Sequence, residues 1–429
     1  MSQHVYDEAA ERRFRLLWID RPMREFLEAE VVGGAILLLA AVAALVVVNG
    51  GGAETYESLW GTRLTLGLSS LSIEEDLRHW VNDGLMAIFF LVVGLEIKRE
   101  LVAGELRSPR RAALPVIAAI GGMLTPAAIF MVFNVGTDEF RGWGIPMATD
   151  IAFAVGVLSL FRGVPLALKT FVLTLAVVDD IGAIAVIAVF YSEGIELAWL
   201  LGASALVMVG VGMLRAGVVW APAYIVLGIA LWVATFESGI HATLAGVVLA
   251  MLIPARLAGG SPLLHETRAP LGVRLEHVIH PISSFAIVPV FAFANAGVAI
   301  SPGGLADAGG TRLFLGIVLG LVIGKLVGIT AFTWAAQRLK LGQLHPSLHF
   351  GHVMAAASVS GIGFTVSLFI TELAFAAPQP IETAKLAILS GSLLAGGLGA
   401  LSLLALGGRG KQESAFSGRG AREGVTAES

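Results

Sequence analysis

Long apolar runs separated by short polar connections dominate the chain. A helix needs about 20 apolar residues to cross a bilayer, and twelve segments approach or exceed that length. The pattern therefore predicts an all-α polytopic membrane protein with twelve transmembrane helices, at residues 31–49, 80–98, 112–134, 145–161, 167–190, 196–214, 219–236, 239–255, 278–300, 313–337, 350–375 and 385–407.

Polar segments flank this helical domain, which covers residues 31–407. Residues 1–30 carry five arginines mixed with acids, a composition typical of an amphipathic helix lying at a membrane surface. Because the first apolar run is long enough to span, we expect no cleavable signal peptide. Residues 408–429 are rich in Gly, Ser, Arg and Glu and poor in apolar residues, which predicts a disordered cytoplasmic tail.

The loop at 50–79 alternates polar and apolar residues around Gly67–Ser70, which predicts a small β-hairpin. A two-stranded hairpin is only marginally stable by itself. Two interpretations stay open. The hairpin pairs edge to edge with a second copy of the chain in a dimer, or it packs only on its own helices.

Composition narrows the class of protein. The 429 residues are 56% hydrophobic and 14% charged, whereas a soluble domain is about 25% charged. A soluble enzyme and a nucleic-acid-binding protein are therefore disfavoured, and the net charge of −4 indicates no polyanionic partner. Because the chain has no cysteine, it has no disulfide, thiolate nucleophile or Cys-ligated zinc.

Lysines and arginines predict the orientation in the bilayer. With the N-terminus inside, 22 of the 28 basic residues fall on the cytoplasmic side, five fall outside, and one, Lys325, lies within a helix. The positive-inside rule then places both ends of the chain in the cytoplasm.

Two adjacent carboxylates, Asp179 and Asp180, lie near the middle of the apolar run from Pro165 to Tyr191. An acidic residue at the bilayer centre costs roughly 2.5–3.5 kcal/mol, so a chain that keeps two of them is expected to use them. Neighbouring residues of a helix point about 100° apart. The two carboxylates therefore cannot face one point, which favours a division of roles.

A third acid, Asp150, lies in the fourth segment beside Thr149 and shortly after Pro146. Irregular backbone at membrane depth is tolerated only where it lines a cavity or is buried in protein. One interpretation is therefore a broken helix whose carbonyls and carboxylate face a cation. The alternative is an aspartate that caps a helix with a late start.

The eleventh segment holds Gly361 and Gly363 amid hydroxyl residues, halfway along an apolar run, which indicates a helix break. A close-packed face of small residues is the alternative. Interrupted segments at matching positions of two halves are typical of a transporter binding site. Segments 3–5 and 10–12 would then be paired inverted repeats.

Lys325 lies about 12 residues from either end of the tenth segment, too deep to reach the membrane surface. It needs an acidic partner, and the candidates nearest in depth are Asp179 and Asp180. One aspartate would pair with Lys325, while the other would face a cavity together with Asp150.

Further titratable residues gather near the predicted cytoplasmic ends of the helices. Glu96 and Glu100 lie one turn apart, as do Glu276 and His280, and His277 follows Glu276. Histidine titrates near neutral pH, so this cluster is a candidate sensor of acidity; solvated polar residues are the alternative. His241, near the outer face, is either a further candidate or a hydrogen-bonded structural histidine.

A buried acid can hold a proton or a hard cation on the same oxygens, so the two would compete. If the protein changes facing only when the site is occupied, the competition becomes antiport. The alternatives are a sodium-coupled carrier of an organic anion, a channel, and an intramembrane aspartyl protease. The protease is disfavoured because neither a Tyr-Asp nor a Gly-x-Gly-Asp signature occurs at these aspartates.

Eight segments together resemble the NhaA-type bacterial sodium/proton antiporters, with order and spacing kept from about residue 31 to 405. The matching segments are Val92–Glu100, Trp143–Ala154, Leu175–Gly182, Gly239–Gly246, Leu275–Pro281, Phe291–Val298, Gly324–Gly328 and Gly361–Ser367. The chain departs from the family mainly at its ends, with a longer N-terminal arm and an extra polar tail.

The resemblance implies electrogenic exchange of protons for Na⁺ or Li⁺ in the inner membrane, serving pH and sodium homeostasis. It implies that the fourth and eleventh helices are broken and cross near the midplane, that Asp180 binds the cation, and that Asp150 and Thr149 lie at the crossing. Asp179 would pair with Lys325. It further implies a homodimer and a pH-sensing cluster at Glu96, Arg99, Glu100, Glu276, His277 and His280. No cofactor is expected, because the metal at Asp180 and Asp150 would be transported Na⁺.

Overall fold

Apolar helices dominate the computed structural model, which describes residues 20–68, 71–161, 163–192, 194–255, 270–300 and 308–423. The helices are α1 (Asp20–Val47), α2 (Ala53–Trp60), α3 (Leu77–His79), α4 (Met86–Val102), α5 (Pro109–Asn134), α6 (Ile151–Leu160), α7 (Leu166–Phe190), α8 (Leu197–Arg215), α9 (Ala221–Glu237), α10 (Leu244–Leu252), α11 (Leu271–Ile282), α12 (Val288–Asn295), α13 (Arg312–Leu319), α14 (Lys325–Arg338), α15 (Phe350–Val359), α16 (Phe364–Ala374) and α17 (Pro378–Glu423).

Within those ranges, seven helices are long and apolar enough to cross a membrane, and nine are if each of two bent helix pairs counts as one span. The prediction of a helical membrane protein is confirmed. The number of twelve membrane-crossing helices stays a prediction.

Short π-helical turns join several of these helices end to end. They connect α3 to α4, α11 to α12, and α13 to α14, at Trp80–Leu85, Ser283–Ile287 and Gly320–Gly324. Between α1 and α2 the chain instead kinks at Gly51, whose φ is 95°. A π-turn adds a residue to the helix and rotates the faces on either side of it, and such turns are frequent at functional sites.

The two ends of the chain continue the terminal helices. Helix α1 begins at Asp20 and includes the last part of the polar arm predicted for residues 1–30, of which residues 1–19 lie outside the described ranges. Helix α17 is described to Glu423, through most of the segment for which the sequence predicts a disordered tail. Residues 424–429 of that segment also lie outside the described part.

A β-hairpin lies in the loop where the sequence predicts one. Strand β1 (Arg63–Leu68) pairs antiparallel with β2 (Leu71–Asp76), so that Arg63 faces Asp76 and Leu68 faces Leu71. The indole nitrogen of Trp80 donates a hydrogen bond of 3.0 Å to the carbonyl of Leu64, which ties the hairpin to the start of the following helix.

Glycines allow the helices around the predicted site to approach closely. A Cβ added at Gly328 on α14 would lie 2.1 Å from the carbonyl oxygen of Gly121 on α5. One added at Gly324, just before α14, would lie 2.7 Å from Cα of Pro126, which is also on α5. Backbone-to-backbone packing of this kind is typical of membrane helices. It brings Lys325, which lies between the two glycines, deep into the bundle.

Candidate cation site

Two bent helix pairs meet at the centre of the site. The 3₁₀ segment Asp138–Met147 and α6 bend by 43°, and α15 and α16 bend by 47°. Extended backbone at Ala148 and Asp150 forms the first bend. The two bends contact each other, because the backbone N–H of Asp150 donates to the carbonyl of Ile362 at 2.7 Å.

Small residues are needed where the bends meet. A Cβ at Gly361 would lie 2.3 Å from the carbonyl oxygen of Leu321, and one at Gly363 would lie 3.0 Å from that of Ala148. Gly361 and Gly363 thus lie where α15 and α16 bend and also pack closely against other segments. That the eleventh segment is a broken membrane-crossing helix stays a prediction. Pro146 lies just before the other bend and packs against Gly320, where a Cβ would be 2.7 Å from the proline ring.

Asp150 joins the two bent pairs through its side chain. Its Oδ1 accepts a hydrogen bond of 3.2 Å from the backbone N–H of Phe153 and so caps α6. Its Oδ2 accepts from the backbone N–H of Thr365 at 3.1 Å and from the Thr365 hydroxyl at 2.6 Å. The capping interpretation is thus correct for α6. The same carboxylate also lies at the N-terminal end of α16, so two helix dipoles stabilise its negative charge.

Lys325 and Asp179 form an ion pair that is sealed from solvent. The Nζ of Lys325 lies 2.6 Å from Oδ2 of Asp179 and donates to the Thr149 hydroxyl at 3.0 Å. The Thr149 hydroxyl lies 2.7 Å from the same Oδ2 and 2.8 Å from the carbonyl oxygen of Ser360. Lys325 and Asp179 are fully buried. The lysine follows directly on the π-turn at Gly320–Gly324, which sets the face of α14 on which it lies.

Asp180 faces a cavity instead. It is 6% exposed and lines the cavity together with Asp150, Thr149 and Thr365. Within the described part of the chain, no side chain or backbone N–H donates a hydrogen bond to its carboxylate. The cavity leaves a volume of about 70 Å³ for water-sized molecules. Asp179 and Asp180 therefore lie in different surroundings, one paired with Lys325 and the other lining the cavity.

The cavity is also lined by Glu96, His280, Ser283 and Ser284. Arg99 pairs with Glu276 on α11 through Nη1, and its Nη2 lies 3.5 Å from Glu96. Four residues of the predicted pH-sensing cluster thus lie together, with Glu96 and Glu276 buried.

The structure does not bring the other three candidates into this group. Glu100 accepts a hydrogen bond from the backbone N–H of Glu105 at 3.1 Å, and His277 is exposed. The Nε2 of His241 lies 2.8 Å from the carbonyl oxygen of Tyr191, away from the cavity lining. This geometry matches the structural interpretation of His241.

Sequence reasoning missed some polar groups of the site. Thr365 binds Asp150, Ser360 supplies a carbonyl to Thr149, and Ser283 and Ser284 line the cavity. The signal for Thr365 is a hydroxyl residue two positions after Gly363, at the start of the second half of a bent pair. Apart from His280, the polar side chains that line the cavity all offer oxygen atoms, which are the ligands that hard cations prefer.

Comparison with known proteins places the chain among antiporters. The family model described as Na⁺/H⁺ antiporter 1 matches residues 24–403. Na⁺/H⁺ antiporter NhaA 3 of Frankia alni is 44% identical over 425 residues, covering 92% of this chain and 91% of the relative. NhaA of Shewanella sp. (strain ANA-3) is 45% identical, covering 89% and 97%. NhaA 2 of Erythrobacter litoralis is 46% identical, covering 90% and 94%. A match of this extent shows that the chain belongs to the Na⁺/H⁺ antiporter 1 family.

Proposed function

We propose that this protein exchanges Na⁺ or Li⁺ for protons across a bacterial inner membrane. One observation carries the proposal: Lys325 neutralises Asp179, whereas the cavity that its neighbour Asp180 faces has no Lys or Arg among the described residues that line it. An acid left without a counter-charge at membrane depth is costly, so it is kept for a substrate. The names of the relatives, Na⁺/H⁺ antiporters, support the same activity.

Competition at Asp180 supplies the exchange. Its carboxylate oxygens bind a proton or a hard cation, and each occupant excludes the other. The carboxylate of Asp150 and the hydroxyls of Thr149 and Thr365 line the same part of the cavity and would surround the ion with oxygen. If the protein changes facing only when one of the two occupants is bound, the competition drives antiport.

Asp150 links occupancy to the change in facing. Its carboxylate holds the N-terminal ends of α6 and α16 through hydrogen bonds to Phe153 and Thr365. A cation drawing on the same oxygens would weaken these bonds, because each oxygen has a limited number of lone pairs. Binding would therefore loosen the contact between the two bent pairs.

We also propose a larger architecture. We place the bent pairs as the fourth and eleventh of twelve membrane-crossing helices, broken and crossing near the midplane within inverted repeats of segments 3–5 and 10–12. Both termini would be cytoplasmic. Leu64 and Leu66 on β1 are exposed, which supports a homodimer in which hairpins pair edge to edge.

The ion pair between Lys325 and Asp179 would make the exchange sensitive to voltage. If a proton enters this pair as Na⁺ leaves Asp180, more than one proton moves per cation and net charge crosses the membrane. At about 2.3 kcal/mol per charge per 100 mV, an inside-negative membrane would drive proton entry and Na⁺ expulsion. The group formed by Glu96, Arg99, Glu276 and His280 would adjust this activity to cytoplasmic pH.

The alternative, a sodium-coupled carrier of an organic anion, needs positive groups that face the substrate. Among the described residues that line the cavity there is no Lys or Arg. The cavity thus favours a cation as its only solute.

The test is proton movement in everted membrane vesicles, followed by dequenching of acridine orange after addition of Na⁺, Li⁺ or K⁺ across a pH series. We expect dequenching with Na⁺ and Li⁺ and no organic solute present. A response to Na⁺ that appears only with an organic anion would support the carrier instead, and no response at all would remove the proposed exchange.

A further inference from the structure

Lys98 on α4 binds the end of another helix. Its Nζ donates hydrogen bonds to the carbonyls of Met251 at 2.7 Å, of Ala250 at 3.4 Å, and of Ile253. The carbonyls of Met251 and Ile253 lie at the end of α10, where the last turn of a helix leaves its C=O groups unpaired. The carbonyl of Ala250 also accepts a hydrogen bond of 3.3 Å from the backbone N–H of Ile253. An ammonium group has three donors, and a cation at this end also matches the helix dipole.

The glycines of α4 and α10 show that the two helices are fitted to each other. A Cβ at Gly94 would lie 2.7 Å from the Cβ of Ala250, and one at Gly246 would lie 2.0 Å from the carbonyl oxygen of Ala87. Lys98 lies one turn after Gly94 on the same helix. Its ammonium group therefore closes the end of a tight seam between α4 and α10.

The end of α10 in turn holds the start of α11. The carbonyl of Pro254, next to Ile253, accepts a hydrogen bond of 3.0 Å from the backbone N–H of Gly272, the second residue of α11. One turn further along α11, Glu276 pairs with Arg99, which directly follows Lys98. His280 lies another turn along and lines the cavity.

We propose that Lys98 is a positioning residue: by holding the end of α10 it sets α11, which carries Glu276 and the cavity-lining His280. Because adjacent residues of α4 point about 100° apart, Lys98 and Arg99 reach different partners, one at the end of α10 and one on α11. The inference rests on the proposed function, since it assigns Lys98 to the regulation of that cavity. Beside Lys98, α4 carries the charged groups Glu96, Arg99 and Glu100, and the turn after it carries Glu105. Helix α11 carries Arg274, Glu276, His277 and His280, of which Arg274 and His277 are exposed.

The test compares Lys98→Met with Lys98→Arg in the vesicle assay. Methionine keeps the length and the apolar stem but removes all three donors, whereas arginine keeps the charge and the donors. We expect Lys98→Met to shift the pH midpoint of Na⁺-dependent proton movement by roughly half a pH unit or more. We expect Lys98→Arg to keep the midpoint of the wild type. Arg110→Met is the matched control, because Arg110 is an exposed cation on the same predicted side and its loss changes net charge equally.

A purely structural role would lower activity equally at all pH values and leave the midpoint unchanged. A midpoint for Lys98→Met equal to that of the wild type and of Arg110→Met overturns the inference. Absence of Na⁺-dependent proton movement in the wild type instead overturns the proposed function, so the two failures are distinguishable.

If Lys98→Met does not accumulate in the membrane, hydrogen exchange of purified Lys98→Gln gives a second test. We expect faster exchange in peptides from 270–282 than in the wild type, with peptides from α9 unchanged. Exchange at the wild-type rate in 270–282 overturns the inference.

Discussion

Asp179 and Asp180 are neighbours in the sequence but lie in different environments. Asp179 is sealed in a cluster with Lys325 and Thr149, whereas Asp180 lines an open cavity. Their depth is the same, and both side chains are nearly inaccessible. What differs is the counter-charge. Lys325 supplies one to Asp179, whereas no Lys or Arg is among the described residues that line the cavity at Asp180. Burial alone therefore does not define an ion site.

The largest effect is expected from Asp180→Asn. Asparagine keeps the shape of the side chain but removes the charge that would attract a cation and the group that would carry a proton. We expect Na⁺-dependent proton movement in everted vesicles to be abolished. The same chemical change at an exposed acid, Asp138→Asn, should leave it intact.

The folded state of the Asp180→Asn variant decides how this result is understood. No group in the described chain donates a hydrogen bond to the Asp180 carboxylate. The thermal midpoint of the Asp180→Asn variant in detergent should therefore stay near that of the wild type. Normal exchange by a folded Asp180→Asn protein would disprove the assigned site.

Lys325→Ala tests the buried ion pair between Lys325 and Asp179. Removing one partner of a buried ion pair leaves an uncompensated charge, which costs about 3–5 kcal/mol of stability. We expect a clear fall in the thermal midpoint in detergent and a smaller loss of Na⁺ binding by the purified protein, because Asp180 and Asp150 are unchanged.

The double variant Asp179→Ala/Lys325→Ala sharpens this prediction. With both charges gone, the loss of stability should be smaller than the sum of the two single losses. An unchanged thermal midpoint for Lys325→Ala would count against an ion pair that stabilises the fold.

Local pattern predicted much of this site, and the reason lies in particular residues. Because Lys325 lies deep in an apolar segment, the sequence predicts an acidic partner for it. Because Asp179 and Asp180 point about 100° apart on a helix, the sequence predicts that they bind different partners. The residues alone did not decide which aspartate pairs with the lysine, because that depends on how α7 and α14 are rotated against each other. The resemblance to antiporters implied Asp179, and the structure places Asp179 against Lys325.

Contacts between distant parts of the chain could not be predicted in this way. Thr365 binds Asp150 across 215 positions, and Lys98 reaches Ile253 across 155. Neither contact leaves a periodic signal in its own segment: the threonine is one of several hydroxyls, and the lysine is one of many cytoplasmic cations. The two interpretations of Asp150 were opposed for the same reason, although its carboxylate both caps α6 and lines the cavity.

Thr365→Val tests how the hydrogen bond from Thr365 to Asp150 contributes to cation binding in the cavity. It keeps the side-chain shape but removes the hydroxyl that donates to Asp150 at 2.6 Å. A hydrogen bond to a charged group contributes about 1.5–3 kcal/mol, so we expect the apparent affinity for Na⁺ to fall about tenfold as the carboxylate loses its fixed orientation. The measurement is the Na⁺ concentration for half-maximal dequenching at alkaline pH.

Thr365→Ser is the matched control for this prediction, because serine keeps the hydroxyl and should retain most of the affinity. Equal half-maximal concentrations for Thr365→Val and the wild type would show that the bond does not contribute to cation binding.

The smallest effect is expected from His280→Ala, in the lining of the same cavity. Histidine gains a positive charge as the solution becomes more acidic. The added charge disfavours a cation in the cavity, so its removal should extend activity to lower pH. We expect the pH midpoint to move down by roughly half a unit, about 0.7 kcal/mol, since water in an open cavity screens the charge.

His241→Ala provides the comparison, because this histidine lies against the carbonyl of Tyr191 and not in the cavity lining. It should lower the thermal midpoint slightly and leave the pH midpoint in place. If His241→Ala moved the pH midpoint and His280→Ala did not, pH sensing would have to be sought away from the cavity. The cavity would then differ from the buried cluster of Lys325, Asp179 and Thr149 only in binding the cation. It would not be the site that responds to pH.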